Sequence, residues 1–206
     1  MNYGGNDMEK NFFYKAQRTS IGAKDLKNKY IFVDIDGTLS EYRFNDHVSA
    51  KDGTQNGQTI YELEHNIFLY SRPLKNIIKK LTKACRKGVC GIWTIGAAIS
   101  PTEVINKTTW LSKNCKRIKF NCRDWIVDPE YWDTFAEYFK FSCEDTEHIN
   151  KFGFFLKGTK KDFWDWGMKH NFFDLENTVF IDDVLPYLKY AEEIGIKSYH
   201  ISSMYD

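Results

Sequence analysis

The sequence predicts an α/β protein with a mainly parallel, doubly wound sheet, because short apolar runs alternate along the chain with segments of helical periodicity. The apolar runs at residues 30–35, 89–95 and 178–181 have the composition of strands that are buried on both faces. Two further runs, at residues 117–120 and 198–201, complete a set of five predicted strands. Strands that alternate with helices in this way form parallel sheets covered by helices on both faces.

The clearest predicted helix follows Pro73 and ends at Gly88, the residue type that most often terminates helices. Its apolar face consists of Leu74, Ile77, Ile78, Leu81, Ala84 and Cys85. The remaining positions carry five lysines that are predicted to face away from the core. These lysines, which either meet solvent or bind phosphate backbones, are Lys75, Lys79, Lys80, Lys83 and Lys87.

Four more helices are predicted from their capping signals. A capping box at residues 100–103 opens a helix that runs to about residue 113. Residues 128–130 start an aromatic-rich helix, and Thr159 with Asp162 caps another that runs to about residue 170. The last predicted helix covers residues 186–193.

Length and composition favour one domain with insertions, since 206 residues suit a single α/β core. Residues 1–28 are polar and are predicted to form a loosely attached arm, which leaves residues 29–206 as the core. Insertions at about residues 41–71 and 121–156 are expected to form small caps. The second contains aromatic residues that either stack on a substrate or pack in a core: Trp125, Tyr131, Trp132, Phe135, Tyr138 and Phe139.

The charge and the apolar content exclude several classes of partner. Lys and Arg total 29 against 28 for Asp and Glu, so a net charge of +1 gives no general attraction to nucleic acid or to anionic membranes. No apolar run is long enough to span a bilayer, and the first residues lack a signal-peptide pattern, so a cytoplasmic protein is expected.

The five cysteines show no zinc-binding spacing and are expected to be reduced thiols.

Carboxylates follow two of the predicted strands. Asp34 and Asp36 stand at the end of the first, where Gly37 allows a sharp turn, and Asp182 and Asp183 end the fourth. An acidic turn is the simpler interpretation of the first pair alone. Four carboxylates at one sheet edge would require a cation, however, and oxygen ligands suit Mg²⁺. A magnesium site with paired acid/base and nucleophilic carboxylates is therefore predicted.

Polar residues near the other strand ends suit an anionic substrate. Thr94, with backbone N–H groups of residues 96–98, could donate hydrogen bonds to a phosphoryl oxygen. Lys160, in the first turn of a helix, could place a positive charge beside the same group, although Lys157 and Lys161 compete for this role.

These segments resemble, in order, the four motifs of the haloacid dehalogenase (HAD) superfamily. Residues 31–39, Ile-Phe-Val-Asp-Ile-Asp-Gly-Thr-Leu, resemble the first motif closely, and residues 91–94, Gly-Ile-Trp-Thr, fit the second. A lysine within residues 157–161 fits the third motif, and residues 179–183, Val-Phe-Ile-Asp-Asp, fit the fourth. The resemblance extends from about residue 29 to the end of the chain and implies a Rossmann-like, HAD-like core.

The resemblance also implies a role for each matched residue. Asp34 would be the nucleophile that forms an aspartyl-phosphate, and Asp36 would protonate the leaving group and then activate water. Thr94 and Lys160 would bind the phosphoryl oxygens. Mg²⁺ would be held by Asp34, the backbone carbonyl of Asp36 and Asp182, with help from Asp183. The acid that many members carry a few residues later is replaced here by Val184-Leu185-Pro186-Tyr187.

The implied activity is that of a magnesium-dependent phosphomonoesterase acting on a small phosphorylated metabolite, such as a nucleotide or sugar phosphate. Three alternatives remain open at this point. Arg72-Pro73, Trp93-Thr94 and Asp182-Asp183 also resemble phosphoprotein phosphatases of the RNA polymerase C-terminal tail, which usually have another residue in place of Gly37. The second alternative is a polynucleotide 3'-phosphatase, although the chain lacks the kinase P-loop and the excess of basic residues that would favour it. The third is a binding protein that has kept the fold but has no catalytic activity.

Overall fold

A parallel five-stranded sheet with the strand order β3-β2-β1-β4-β5 organises the part of the chain that the structure describes. The structure is a computed structural model, and it describes residues 20–41, 67–98, 101–121, 151–156 and 159–205. The elements are β1 (Tyr30–Val33), α1 (Ile67–Tyr70), α2 (Lys75–Lys87), β2 (Gly91–Ala97), α3 (Pro101–Asn114), β3 (Gly153–Leu156), α4 (Lys160–Lys169), β4 (Thr178–Asp182), α5 (Leu185–Glu193), β5 (Lys197–His200) and a final 3₁₀ turn (Ile201–Met204).

Apolar side chains from both faces of the sheet pack against helices, which confirms the predicted doubly wound α/β class. Side chains alternate along β1, so that Ile31 and Val33 point to one face and Phe32 to the other. The first face packs against α2 and α3, with Leu81 and Trp110 fully buried there; the second packs against α4 and α5. Because β1 is the central strand and has helices on both faces, residues that follow it lie at the middle of the sheet's carboxyl edge.

Sequence patterns predicted four of the five α-helices in the described residues closely, whereas α1 was not predicted. Helices α2, α3, α4 and α5 lie within one or two residues of their predicted bounds, and Thr159 and Asp162 form the predicted capping box. Gly88 ends α2 with a φ of 89°. The predicted helix at residues 128–130 lies outside the described residues. In the part of the chain that the structure covers, no helix combines the length and apolarity needed to cross a bilayer.

The third strand was predicted in the wrong place. Residues 117–120 form a turn and coil, and the strand beside β2 is β3, within the predicted second insertion. Asn121 explains the difference, because it occupies the edge of β2 at Ile92. Its backbone N–H donates to the Ile92 carbonyl at 2.8 Å, and its side-chain oxygen accepts from the Ile92 N–H at 2.9 Å. From Thr94 onward, β2 pairs with β3 instead. The short run that begins at Gly153 shows no alternation that would have indicated a strand.

Two other predictions need correction. The polar arm predicted over residues 1–28 does not remain loose to its end, because Ile21 and Leu26 are fully buried and the Ile21 N–H donates to Ser203. On α2, Lys80 is largely buried instead of facing solvent, whereas the other four lysines of its predicted polar face are exposed. Cys85, Cys90 and Cys115 are free thiols, as expected for the three cysteines that are described.

Candidate active site

Asp34 stands at the carboxyl end of the central strand. It follows Val33, its backbone N–H donates to the Ile181 carbonyl at 2.9 Å, and it is only 4% exposed. Beyond the carboxyl ends of parallel strands, loops and helix N-termini meet, and ligands bind there. Asp34 therefore occupies the position at which a doubly wound sheet places its chemistry.

The two acids that end β4 lie beside Asp34, because β1 and β4 are hydrogen-bonded neighbours. Carboxylate oxygens of Asp34, Asp182 and Asp183 lie within 4.8 Å of one another. The Asp182 carboxylate is fully buried and accepts a hydrogen bond from the Val184 N–H at 2.7 Å, which fixes its orientation. The structure thus brings together three of the four carboxylates that the sequence placed at this edge.

Lys160 provides a positive charge inside this acidic cluster. It is the first residue of α4, is 5% exposed, and donates to Oδ1 of Asp34 at 2.6 Å and to Oδ2 of Asp182 at 2.5 Å. Its neighbour Lys161 instead bonds Asp165 on the exposed side of the helix. Lys157 lies outside the described residues. Of the two candidate lysines that can be located, Lys160 is the one in the site.

Burial and mutual repulsion make the carboxylates of the cluster hard to ionise. Burial raises the pKa of Asp34 to about 7, and the charges of Asp182 and Asp36 add to this, although Lys160 opposes it. Burial and the charge of Asp34 raise the pKa of Asp183 to about 6, and burial raises that of Asp182. Burial acts to lower the pKa of Lys160, but attraction to Asp34 and Asp182 outweighs it and keeps the lysine charged.

Gly37 allows Asp183 to approach the end of β1. The residue has a φ of 83°, and its N–H donates to the Ser40 carbonyl at 2.8 Å. A Cβ atom on Gly37 would overlap the Asp183 carboxylate, so a side chain is excluded both by conformation and by contact. The Thr38 hydroxyl also lies 3.5 Å from Oδ1 of Asp183, a contact that was not predicted from the sequence.

We expect Gly37→Ala to weaken divalent-cation binding by at least roughly tenfold, because displaced Asp183 would leave the acidic cluster. Isothermal titration with Mg²⁺ measures this directly. Gly88→Ala is the matched control, since Gly88 has nearly the same backbone conformation, with a φ of 89°, but open space around it. If both variants lose stability equally and neither loses cation affinity, Gly37 serves only the turn.

Asp36 is paired with Lys107, which was not predicted to be a site residue. Its Oδ2 lies 2.6 Å from Nζ of Lys107, which also contacts Oε1 of Glu103 at 2.6 Å. Glu103 was predicted to cap α3, but its proposed partner Ser100 lies outside the described residues. The only sequence signal for this group was the spacing of Glu103 and Lys107, one helical turn apart, which ordinarily indicates a surface ion pair.

The hydroxyl of Thr94 does not point into the acidic cluster. It donates to the Phe152 carbonyl at 3.0 Å, and the side chain is fully buried. The expected loop of backbone donors is likewise part of the sheet, because β2 continues to Ala97 and the Ala98 N–H donates to Leu156 at 2.9 Å. A phosphoryl-binding role for Thr94 stays a prediction and would require its side chain to rotate.

The donor atoms of the cluster fit a hard divalent cation. Asp34, Asp182 and Asp183 offer only carboxylate oxygens, the ligands that Mg²⁺ prefers, and burial together with a neighbouring carboxylate raises the pKa of each side chain. Lys160 compensates only part of that charge. The cluster could therefore hold a metal ion, and Mg²⁺ agrees with its chemistry.

Comparisons with known proteins do not assign the chain to a family. No protein-family model matches the sequence, and no significant match was found among curated proteins.

Proposed function

We propose that this protein is a magnesium-dependent phosphomonoesterase of HAD type that acts through an aspartyl-phosphate on Asp34. One observation carries the proposal: the buried Asp34 carboxylate lies within a group formed by Asp182, Asp183 and the Lys160 ammonium. A nucleophilic carboxylate, a cation site and a fixed positive charge are the parts that phosphoryl transfer to an aspartate requires. The resemblance of residues 31–39 to the first HAD motif supports the same chemistry.

In the proposed first step, an oxygen of Asp34 attacks the substrate phosphorus. Because Lys160 contacts Oδ1, we assign the attack to Oδ2. A new bond forms between this oxygen and phosphorus, the bond from phosphorus to the leaving oxygen breaks, and that oxygen takes a proton from Asp36. In the second step, water attacks the phosphorus of the aspartyl-phosphate, Asp36 accepts the proton, and the Asp34 carboxylate and inorganic phosphate are released.

Lys160 is positioned to follow the negative charge through this reaction. In the described state its ammonium bonds Asp34 and Asp182. When the phosphoryl group becomes attached to Asp34, its oxygens lie next to the same ammonium, which then stabilises the charge that develops on them. Because Lys160 is nearly inaccessible to water, this attraction is weakly screened.

The balance of charge explains why the proposed reaction needs a metal ion. Five carboxylates surround the site, those of Asp34, Asp36, Glu103, Asp182 and Asp183, against the ammonium groups of Lys107 and Lys160. A phosphate dianion would add to this negative excess. Mg²⁺ held by Asp34, Asp182 and Asp183 would supply the compensating charge, would polarise the phosphoryl group and would favour the ionised, nucleophilic form of Asp34.

The proposed substrate is a small phosphorylated metabolite, such as a nucleotide or sugar phosphate. Asp34 is 4% exposed and the side chain of Asp36 is 20% exposed, so the reacting groups lie deep and suit a compact phosphoester. The aromatic residues between Trp125 and Phe139, which were predicted to contribute to substrate choice, lie outside the described residues.

A panel of phosphorylated compounds assayed for phosphate release, with Mg²⁺ and after chelation, tests the proposal. We expect release from at least one small phosphomonoester, and loss of that activity with EDTA. Release confined to phosphopeptides or to 3'-phosphorylated oligonucleotides would move the substrate to one of the alternative classes. No release from any compound, or full activity after rigorous chelation, would contradict the proposed mechanism.

The metal-free protein should become less stable as pH rises from about 5 to 8. In the folded state Asp34 keeps its proton up to a pKa of about 7, whereas the ordinary value of 3.8 applies after unfolding. Between these values the folded state binds more protons, so the free energy of unfolding falls with rising pH, by roughly 1 to 3 kcal/mol. Asp183, with a pKa of about 6, acts in the same direction.

Two other groups do not reverse this trend. The raised pKa of Lys160 contributes stability that is constant throughout this window, since both its folded and ordinary values lie above it. Burial lowers the pKa of His200, so this group makes the free energy of unfolding rise with pH below about pH 6.5. Its ring is only half-buried, and its contribution is therefore smaller than that of Asp34. Thermal unfolding in EDTA measures the slope, and Asp34→Asn should flatten it. A melting temperature that rises steadily from pH 5 to 8 would contradict the assigned pKa shifts.

A further inference from the structure

Lys107 is a buried cation whose surroundings connect it to the proposed proton carrier. It lies in the middle of α3, and only 2% of the residue is exposed. Burial acts to lower its pKa, but Asp36 and Glu103 outweigh this and keep the ammonium charged. The ring of Phe68, on α1, has its centroid 4.5 Å from Nζ and covers the group further.

The three N–H groups of the Lys107 ammonium have three acceptors at short range. These are Oδ2 of Asp36 at 2.6 Å, Oε1 of Glu103 at 2.6 Å and the Ala97 carbonyl at 2.5 Å. Glu103 is on the same helix and Ala97 is the last residue of β2, so both are parts of the rigid core. Asp36, by contrast, belongs to the turn after β1. Lys107 thus connects a turn residue to two fixed points.

We propose that Lys107 is the positioning residue for Asp36: its ammonium fixes one carboxylate oxygen and leaves the other to exchange a proton with the leaving group. This inference rests on the proposed function. Proton transfer in the reaction requires the carboxylate to be within hydrogen-bond reach of the leaving oxygen, and a carboxylate on an unsupported turn samples many orientations. A buried ion pair adds little net stability by itself, so the proposed contribution of Lys107 is the orientation of Asp36.

Two substrates with different leaving groups distinguish this positioning role from a structural one. Phenyl phosphate needs its leaving oxygen protonated, whereas 2,4-dinitrophenyl phosphate releases a stable anion that does not. We expect Lys107→Met to lower kcat/KM for phenyl phosphate by roughly 100-fold, the usual worth of a positioned general acid, and for the dinitrophenyl ester by less than about fivefold. Lys107→Arg should restore part of the activity toward phenyl phosphate.

Lys113→Met is the control variant, because it removes an exposed lysine from the same helix and leaves Lys107, Asp36 and Glu103 unchanged. It should change both substrates equally and by less than about threefold. If Lys107→Met does not fold, the double variant Glu103→Met/Lys107→Met removes the buried pair together and undergoes the same comparison. Equal losses on both substrates, or no loss on either, would overturn the inference.

Failure of the proposed function would be recognised separately, because wild-type protein with Mg²⁺ would then release phosphate from neither ester. In that case crystal structures of the wild type and of Lys107→Met decide the positioning role. Asp36 should lose its fixed orientation in the variant. An Asp36 carboxylate that keeps its place without Lys107 would overturn the inference, whatever the activity.

Discussion

Asp34→Asn should abolish phosphate release, with a loss of at least roughly 1000-fold, because an amide cannot form the phosphoryl-enzyme bond. The fold should survive, since Asp182 remains as a partner for Lys160 and the repulsion among three neighbouring carboxylates decreases. Phosphate release with saturating Mg²⁺ measures the activity, and circular dichroism with thermal unfolding measures the fold.

Asp165→Asn is the control for this substitution. Asp165 is a half-exposed aspartate on α4 that is paired with Lys161, outside the acidic cluster. It should keep wild-type activity within about twofold. A folded Asp34→Asn protein that retains more than about a tenth of the wild-type rate would show that Asp34 is not the nucleophile.

Lys160→Met should lower the rate of phosphate release by roughly 100-fold or more, because the ammonium is the buried cation nearest to the attacking carboxylate. The variant should also be less stable without metal. Removing one partner of a buried ion pair leaves Asp34 and Asp182 uncompensated, at a cost of roughly 3 to 5 kcal/mol. Mg²⁺ should restore part of this stability but not the rate.

Lys161→Met is the matched control, one residue further along the same helix. The Lys161 side chain is 55% exposed and, among the described residues, contacts Asp165 on α4 and the Tyr190 ring on α5, so its loss should leave both rate and stability nearly unchanged. If Lys160→Met kept the wild-type rate of phosphate release and Lys161→Met lost it, Lys161 would be the phosphoryl-binding lysine. If Lys157→Met lost the rate of phosphate release and Lys160→Met kept it, the phosphoryl-binding lysine would lie before α4.

The carboxylates of the candidate site could be located from the sequence because each stands at the end of a recognisable strand. Residues 30–33 and 178–181 are mainly apolar runs, and Asp34 and Asp182 come directly after them. Once the strands are parallel neighbours, those acids must meet at one edge. Local pattern and topology therefore agree, and little depends on details of packing.

The lysines could not be assigned in the same way. Lys160 and Lys161 are adjacent in sequence but point about 100° apart on a helix, and only the packing of α4 against the sheet shows which one reaches Asp34. Lys107 has the spacing of a surface ion pair with Glu103, and its burial depends on α1 packing against α3. Thr94 has a strand position that suits the motif, yet its hydroxyl donates to the Phe152 carbonyl.

The strand β3 was missed for a reason of the same kind. It is only four residues long, it begins at a glycine, and its apolar residues are continuous because both faces of the sheet are covered. Gly153 has a φ of 132°, and a Cβ there would overlap the backbone of Thr94. Gly153 is paired with Thr94 in the register of β3 against β2, and nothing in the local sequence indicates this pairing.

The covalent step on Asp34 is the central claim, and trapping the phosphorylated protein tests it most directly. Protein that is turning over a radiolabelled phosphomonoester with Mg²⁺ is quenched in acid, digested, and mapped for labelled peptides. We expect the label on the peptide that contains residues 30–36, released by hydroxylamine as an acyl phosphate is, and absent from Asp34→Asn. Continuing turnover with no label on the protein, or with the label on another residue, would contradict the mechanism.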